Sequence, residues 1–167
     1  MNSITKDNKV NYTLDYKLSD HFTLGEFIKS QDAIRNNIDN YPDDEYIANM
    51  VLLCTYALEP IRKYFGKPVS ISSGYRSVEL NAKIGGSKTS DHCFGKAADI
   101  EIVGVDNKVL FDWCKVNLAY KQLILEFYTD DQPSSGWLHI SLDVTDMKHE
   151  ALRARKNSAG KTVYELV

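Results

Sequence analysis

The sequence predicts an α+β domain in which a small antiparallel sheet packs against helices. Three observations lead there. Residues 97–103, 122–128 and 137–142 each place apolar side chains at every second position, the period of a half-buried strand. Ile47, Val51, Cys54, Leu58, Ile61 and Phe65 recur at alternating spacings of four and three, which marks one buried face of a helix. At 167 residues, 43% hydrophobic and 26% charged, the chain is long enough for one core and too short for two comfortable domains.

Taken in order, residues 1–17 read as a loosely ordered polar lead-in and 18–167 as the single domain. Thr23 is placed to cap a short helix through about Ser30, with Glu26 completing a Thr-x-x-Glu capping box. The principal helix runs from about Asp43 to Tyr64 and is broken by Gly66 and Pro68. It should bend or restart at Pro60, whose ring and missing N–H disrupt a helix interior. A short strand at 69–72 and a helical turn near 77–83 lead through Gly85 and Gly86 into a loop, and another helix occupies about 106–118. Strands 122–128 and 137–143 form a hairpin across the polar loop Thr129 to Gly136. From Met147 the tail is basic and polar up to Lys161, and 162–167 is a candidate edge strand.

The strand faces locate the chemistry. Ala98, Ile100 and Ile102 form one apolar row, which puts Asp99 on the other face with Ala97 and Glu101. Leu123, Leu125 and Phe127 leave Gln122, Ile124, Glu126 and Tyr128 opposite; Leu138, Ile140 and Leu142 leave Trp137, His139 and Ser141. If these strands share one sheet, Asp99, Glu126 and His139 lie on one surface. His92 reaches it from the loop before the first strand, with Gly95 permitting the turn. A lone histidine is more often a hydrogen-bonded structural residue than a ligand. Two histidines and an aspartate on polar faces bounded by core residues read instead as a split zinc site, whose three N/O ligands leave one coordination position open for catalysis.

The elements Ser90-x-His92-x6-Asp99 and Trp137-x-His139 resemble those of the zinc D-alanyl-D-alanine carboxypeptidases and their peptidoglycan endopeptidase relatives, a group that includes phage lysis enzymes. The likeness extends over Leu18 to Phe27, Leu58 to Arg62, Phe65 to Pro68, Ser72 to Ser77, Leu80-Asn81 and Gly85 to Ser87. It implies a hedgehog/DD-peptidase-like fold, one Zn²⁺ per chain held by His92, Asp99 and His139, and metal-assisted amide hydrolysis in bacterial peptidoglycan stem peptides, as carboxypeptidase or endopeptidase. In many members the general base is an acid three positions before the last histidine, where this chain has Gly136. Glu126 is the expected replacement, since the hedgehog-like relatives of this fold carry a glutamate at a similar position. Asp130 and Asp131 are weaker candidates, because acids in such loops are usually just solvated. The resemblance also implies that Arg76 holds a peptide carboxylate, which its planar fork matches, against the commoner fate of an arginine in a surface salt bridge. Ser90 is similar to a family serine that helps orient substrate. Tyr75, Tyr128 and Trp137 are candidate cleft-lining aromatics or packing residues.

Two other readings compete. The missing acid at 136 admits a zinc-bearing but catalytically weak structural or binding protein, such as a virion component. A domain whose histidines are structural predicts no stoichiometric metal.

A net charge of −3 and a pI near 5.8 give no electrostatic footprint for nucleic acid or an anionic membrane. Cys54, Cys93 and Cys114 imply no disulfide framework. Cys54 belongs to the helical stripe; Cys93 is a poor nucleophile candidate, because adjacent residues in an extended segment point apart and no base is provided. Neither a signal-peptide core near the N-terminus nor a stretch long enough to span a membrane is present. A monomer is expected, made in the cytoplasm and reaching the cell wall through a holin-opened membrane or in a virion.

Overall fold

The computed structural model describes Ser3–Ile4 and residues 10–167, with side chains from Tyr12 onward. Strands β1 (Ser3–Ile4) and β2 (Val10–Asn11) pair antiparallel; residues 1–2 and 5–9 of the expected lead-in lie outside the described residues. From Tyr12 the segment is fastened rather than loose. The Tyr12 N–H donates to the Tyr41 hydroxyl oxygen at 2.7 Å, and that hydroxyl donates to the Tyr12 carbonyl at 2.9 Å. Tyr12 and Tyr16 pack against the core.

Helix α1 (Leu24–Ile28) carries the predicted capping box: the Glu26 carboxylate accepts from the Thr23 N–H at 2.8 Å and the Thr23 hydroxyl at 2.9 Å. Helix α2 (Gln31–Asn36), absent from the sequence reading, follows; Ser30 caps it by accepting from the Ala33 N–H at 3.2 Å. The principal helix is α3 (Asp44–Leu53), a π-helical turn (Cys54–Leu58) and α4 (Glu59–Phe65) in succession. The break predicted at Pro60 is thus a widened turn just upstream, with Pro60 in the first turn of α4. Gly66, at φ 61°, ends α4. Helices α5 (Val78–Lys83) and α6 (Asn107–Asn117) complete the set.

Six strands, β3 (Ser70–Ser73), β4 (Ala97–Glu101), β5 (Gln122–Glu126), β6 (Trp137–Ser141), β7 (Glu150–Lys156) and β8 (Thr162–Leu166), form a sheet in the order β3-β4-β6-β5-β7-β8. All neighbours are antiparallel except β5 and β7. One face is apolar and packs on the helices: Ala98, Ile100, Leu123, Leu125, Leu138 and Ile140 join Met50, Leu58, Leu110 and Phe111 in one core. Each such leucine or isoleucine stabilises the fold by about 1.5–3 kcal/mol through burial. Phe127 departs from its predicted row. At φ 52° it takes a left-handed conformation that reverses the alternation; its half-buried ring turns to Trp137, at 5.3 Å between centroids, while Tyr128 enters the core.

The opposite face is built of cross-strand rows. Asp99 on β4 pairs with His139 on β6, His139 with Ile124 on β5, Ile124 with Leu152 on β7, and Leu152 with Leu166 on β8. On one side lies the row Trp137, Glu126, Ala154, Tyr164; on the other, the row Ser141, Gln122, Glu150.

Candidate metal centre

His92 arrives from a 3-10 turn (Asp91–Phe94) that Gly95 closes at φ 66°. No other residue fits there, since a Cβ on Gly95 would stand 2.3 Å from the Tyr46 carbonyl oxygen. The His92 Nδ1 lies 2.6 Å from the Gly74 carbonyl oxygen. A carbonyl only accepts, so Nδ1 carries the proton and Nε2 presents its lone pair. That nitrogen is 3.2 Å from His139 Nδ1 and 3.3 Å from Asp99 Oδ1, and His139 Nδ1 is 2.9 Å from the same oxygen.

These three atoms fit a zinc ion. Bonds of 2.0–2.1 Å at tetrahedral angles hold neighbouring ligand atoms about 3.3 Å apart, close to the triangle observed. One proton on His139 Nδ1 serves one of the three contacts; a divalent cation at their centre serves all three. Protonation states agree. Burial lowers the His92 pKa, favouring the neutral imidazole, although Asp99 pulls the other way. Burial alone would raise Asp99, but its interactions with His92 and His139 outweigh it and hold the carboxyl far below the usual range. His92, Asp99 and His139 are the group of potential metal ligands found among the described residues.

The triad opens into a cleft of about 770 Å³ whose lining includes Arg76, Ser90, Glu126 and Trp137. Glu126 is half-buried, and its pKa is raised by burial and the charge of Asp99 against the opposing pull of His139 and Arg76. Among the described residues nothing hydrogen-bonds or ion-pairs with its carboxylate.

Arg76 is pinned on both sides. The Asn40 side-chain amide donates to the carbonyls of Ile28 and Tyr75 at 2.9 and 3.2 Å, and its oxygen accepts from the Ser77 N–H at 2.7 Å. The Arg76 N–H donates to the His92 carbonyl at 3.2 Å. Its guanidinium, by contrast, has no hydrogen-bond or ion-pair partner among the described residues, and Nε is buried. Arg76 and Asp99 also border a second hollow of about 560 Å³ beside Ser72 and Ser73.

Other expectations are redistributed. Tyr75 does not line the main cleft: its N–H donates to the Phe27 carbonyl at 2.8 Å, its ring stacks 5.8 Å from Tyr46, and burial pushes its hydroxyl up to about 12. Tyr128 is buried and donates to Asp106 at 3.2 Å. Asp130 is exposed and ion-paired with Arg153 at 3.1 Å, and neither it nor Asp131 borders the cleft. Cys93 is buried, with a thiol raised by burial. The residues that sequence reasoning missed are Lys121, Lys148, Glu150, Leu152 and Tyr164 along the cleft; most come with β7 and β8, whose arrival on this face only strand pairing reveals.

Gly136 has φ 64°, and a Cβ there would lie 1.9 Å from the Glu126 carbonyl oxygen. Asn107, itself buried, donates from its side chain to the carbonyls of Ser135 and Gly136 at 3.2 and 3.1 Å, fixing this turn before β6.

The family described as Peptidase M15 matches residues 20–141, which include every residue of the triad, Arg76 and Glu126. A protein of Streptomyces albus G named zinc D-Ala-D-Ala carboxypeptidase is 38% identical over 50 residues, 29% of this chain. The chain spans 20% of that relative's length in the match.

Proposed function

Because the chain belongs to the peptidase M15 family, we propose that it hydrolyses amide bonds in peptidoglycan stem peptides, with one zinc ion held by His92, Asp99 and His139. The observation that carries the proposal is the convergence of the three ligand atoms within 2.9–3.3 Å at the head of a cleft that also holds Glu126 and Arg76. A bound zinc ion polarises a scissile carbonyl and lowers the pKa of water toward neutrality. Glu126 supplies the general base: it is in the cleft, without a competing partner, and its raised pKa makes it a better proton acceptor than a solvated carboxylate. It then delivers the proton to the leaving amine. Arg76 binds a substrate carboxylate, since an unpartnered guanidinium with a buried Nε is costly until a planar anion satisfies it. Ser90 and Trp137 border the same space and orient the peptide.

A role in cell-wall degradation of the lysis type belongs to the same proposal, supported by the D-Ala-D-Ala in the name of the Streptomyces relative. The test is digestion of purified sacculi by zinc-loaded protein, with His92→Ala as control and fragments identified by mass spectrometry. Release of D-alanine or stem peptides by the intact protein alone supports the proposal and names the bond. Zinc bound with nothing released from any sacculus type supports the non-catalytic reading.

A further inference from the structure

The family match ends at Ser141, yet the cleft does not. Strands β7 and β8 lie beyond it and contribute Glu150, Leu152 and Tyr164 to the cleft's lining. Resting on the reading of this cleft as a peptidase site, we infer that β7 and β8 add a substrate subsite to the sheet: Ile124 and Leu152 floor it for an uncharged side chain of the peptide, and Tyr164 walls it beside Glu126.

Strand register fixes the arrangement. Starting from the ligand His139, the same row continues through Ile124 and Leu152. An apolar lane therefore begins one strand away from the candidate metal. Ile124, Leu152 and Ala154 are buried, at 5, 8 and 0% exposure, and form a small cluster separate from the main core. Apolar packing on the face that carries Asp99, Glu126 and His139 is not required by α1, α3, α4 or α6, which pack on the other side through the main core.

The lane has polar borders. On one side Glu126 stands next to Ala154, and Ala154 next to Tyr164, so carboxylate and phenol occupy one row with only a methyl group between them. Tyr164 is 56% exposed, so its ring is open to a peptide in the cleft. Its hydroxyl is raised by burial and by the charge of Glu126, which agrees with that proximity. On the other side the Gln122 amide donates to Glu150 at 2.5 Å, and Lys121 donates to Asp91 at 2.7 Å. These polar groups already satisfy one another. A peptide lying across the strands thus meets an apolar floor one strand from His139, and in protein carrying Glu126→Gln a charged side chain there would lose its hydration without gaining a free counter-charge.

The test reads binding, so it does not depend on turnover. Zinc-loaded Glu126→Gln protein, and the same protein with Tyr164→Ala or Leu152→Asn added, is titrated by calorimetry with soluble stem tetrapeptides in which lysine replaces alanine at one position at a time. Zinc content and Tm are recorded for each. The expected result is one position at which lysine weakens binding at least tenfold, a penalty that Leu152→Asn reduces several-fold. Tyr164→Ala, at an exposed position, should weaken the parent peptide about five- to tenfold with zinc and Tm unchanged. Equal affinities across the lysine series, or Tyr164→Ala binding as the parent does, would overturn the inference, as would no peptide binding to folded, zinc-loaded protein. Failure of the peptidase reading shows separately, as intact peptide binding with no sacculus digestion by protein carrying Glu126.

Discussion

The carbonyl oxygen of Glu126 occupies the place that the Cβ of any side chain at position 136 would need, 1.9 Å from an ideal Cβ built on Gly136. The two residues face each other where β5 ends and β6 is about to begin. Position 136 cannot carry the acid that many relatives use there. The glutamate whose backbone fills the space puts its own carboxylate into the cleft instead.

Glu126→Gln is expected to bind zinc with wild-type stoichiometry and to lose about 10²–10⁴-fold in kcat, the usual size of a general-base contribution. Metal analysis beside sacculus digestion checks it. Loss of zinc in this variant would recast Glu126 as a ligand.

Gly136→Ala should destabilise the fold by more than about 2 kcal/mol, because the added Cβ meets backbone that no side-chain movement can relieve and the φ of 64° disfavours it as well. Urea denaturation measures this. A Gly136→Glu variant should fail in the same way rather than gain activity.

His92→Ala, Asp99→Ala and His139→Ala are each expected to lose stoichiometric zinc, and chelation should lower the Tm of the parent but not of these variants. Unchanged melting of the parent on chelation would favour histidines with a structural role.

Arg76→Ala should raise KM at least tenfold while zinc stays bound, and Arg76→Lys should recover little of the loss, since a point-like ammonium cannot replace a bidentate fork. Steady-state kinetics on a stem peptide decides; near wild-type KM would remove Arg76 from recognition.

Acid sensitivity should arise partly away from the cleft. Lys96 donates to Asp143 at 2.8 Å and Thr145 donates to it through its hydroxyl at 2.8 Å, holding that carboxyl down to about 2. A folded pKa below the unfolded one, about 3.9, stabilises the fold above pH 4, and that stabilisation is lost as pH falls toward 2. Asp143→Asn should therefore cost about 1–2 kcal/mol at pH 6 and almost nothing near pH 2, as measured by urea unfolding across that range.

The meeting of Asp99 and His139 on one face was legible because β4 and β6 alternate cleanly: Ile100 and Ile140 inward force Asp99 and His139 outward together. The rest followed less regular patterns. In β7 the buried residues Ala151, Leu152 and Ala154 do not alternate, and two of them are too small to stand out in sequence. In α2 only Ala33 is buried, so no apolar stripe announces the helix. Phe127 leaves its predicted row because it takes a left-handed φ where Gly136 comes close to the backbone of Glu126 and Phe127, a feature that strand alternation does not announce. Tyr75 follows the end of β3, where alternation no longer dictates direction.

His92 and Arg76 are tied together twice, through the imidazole bond to Gly74 two residues before the arginine and through the arginine's own N–H to the His92 carbonyl. Metal loading and carboxylate binding therefore act on one short stretch of chain. If a carboxylate prefers the loaded protein by some factor, the loaded state must be favoured by that same factor once the carboxylate is bound, because linkage is reciprocal. Where the metal is scarce, a bound carboxylate would then help the protein retain it, and occupancy would follow the carboxylate ligand as well as the metal supply.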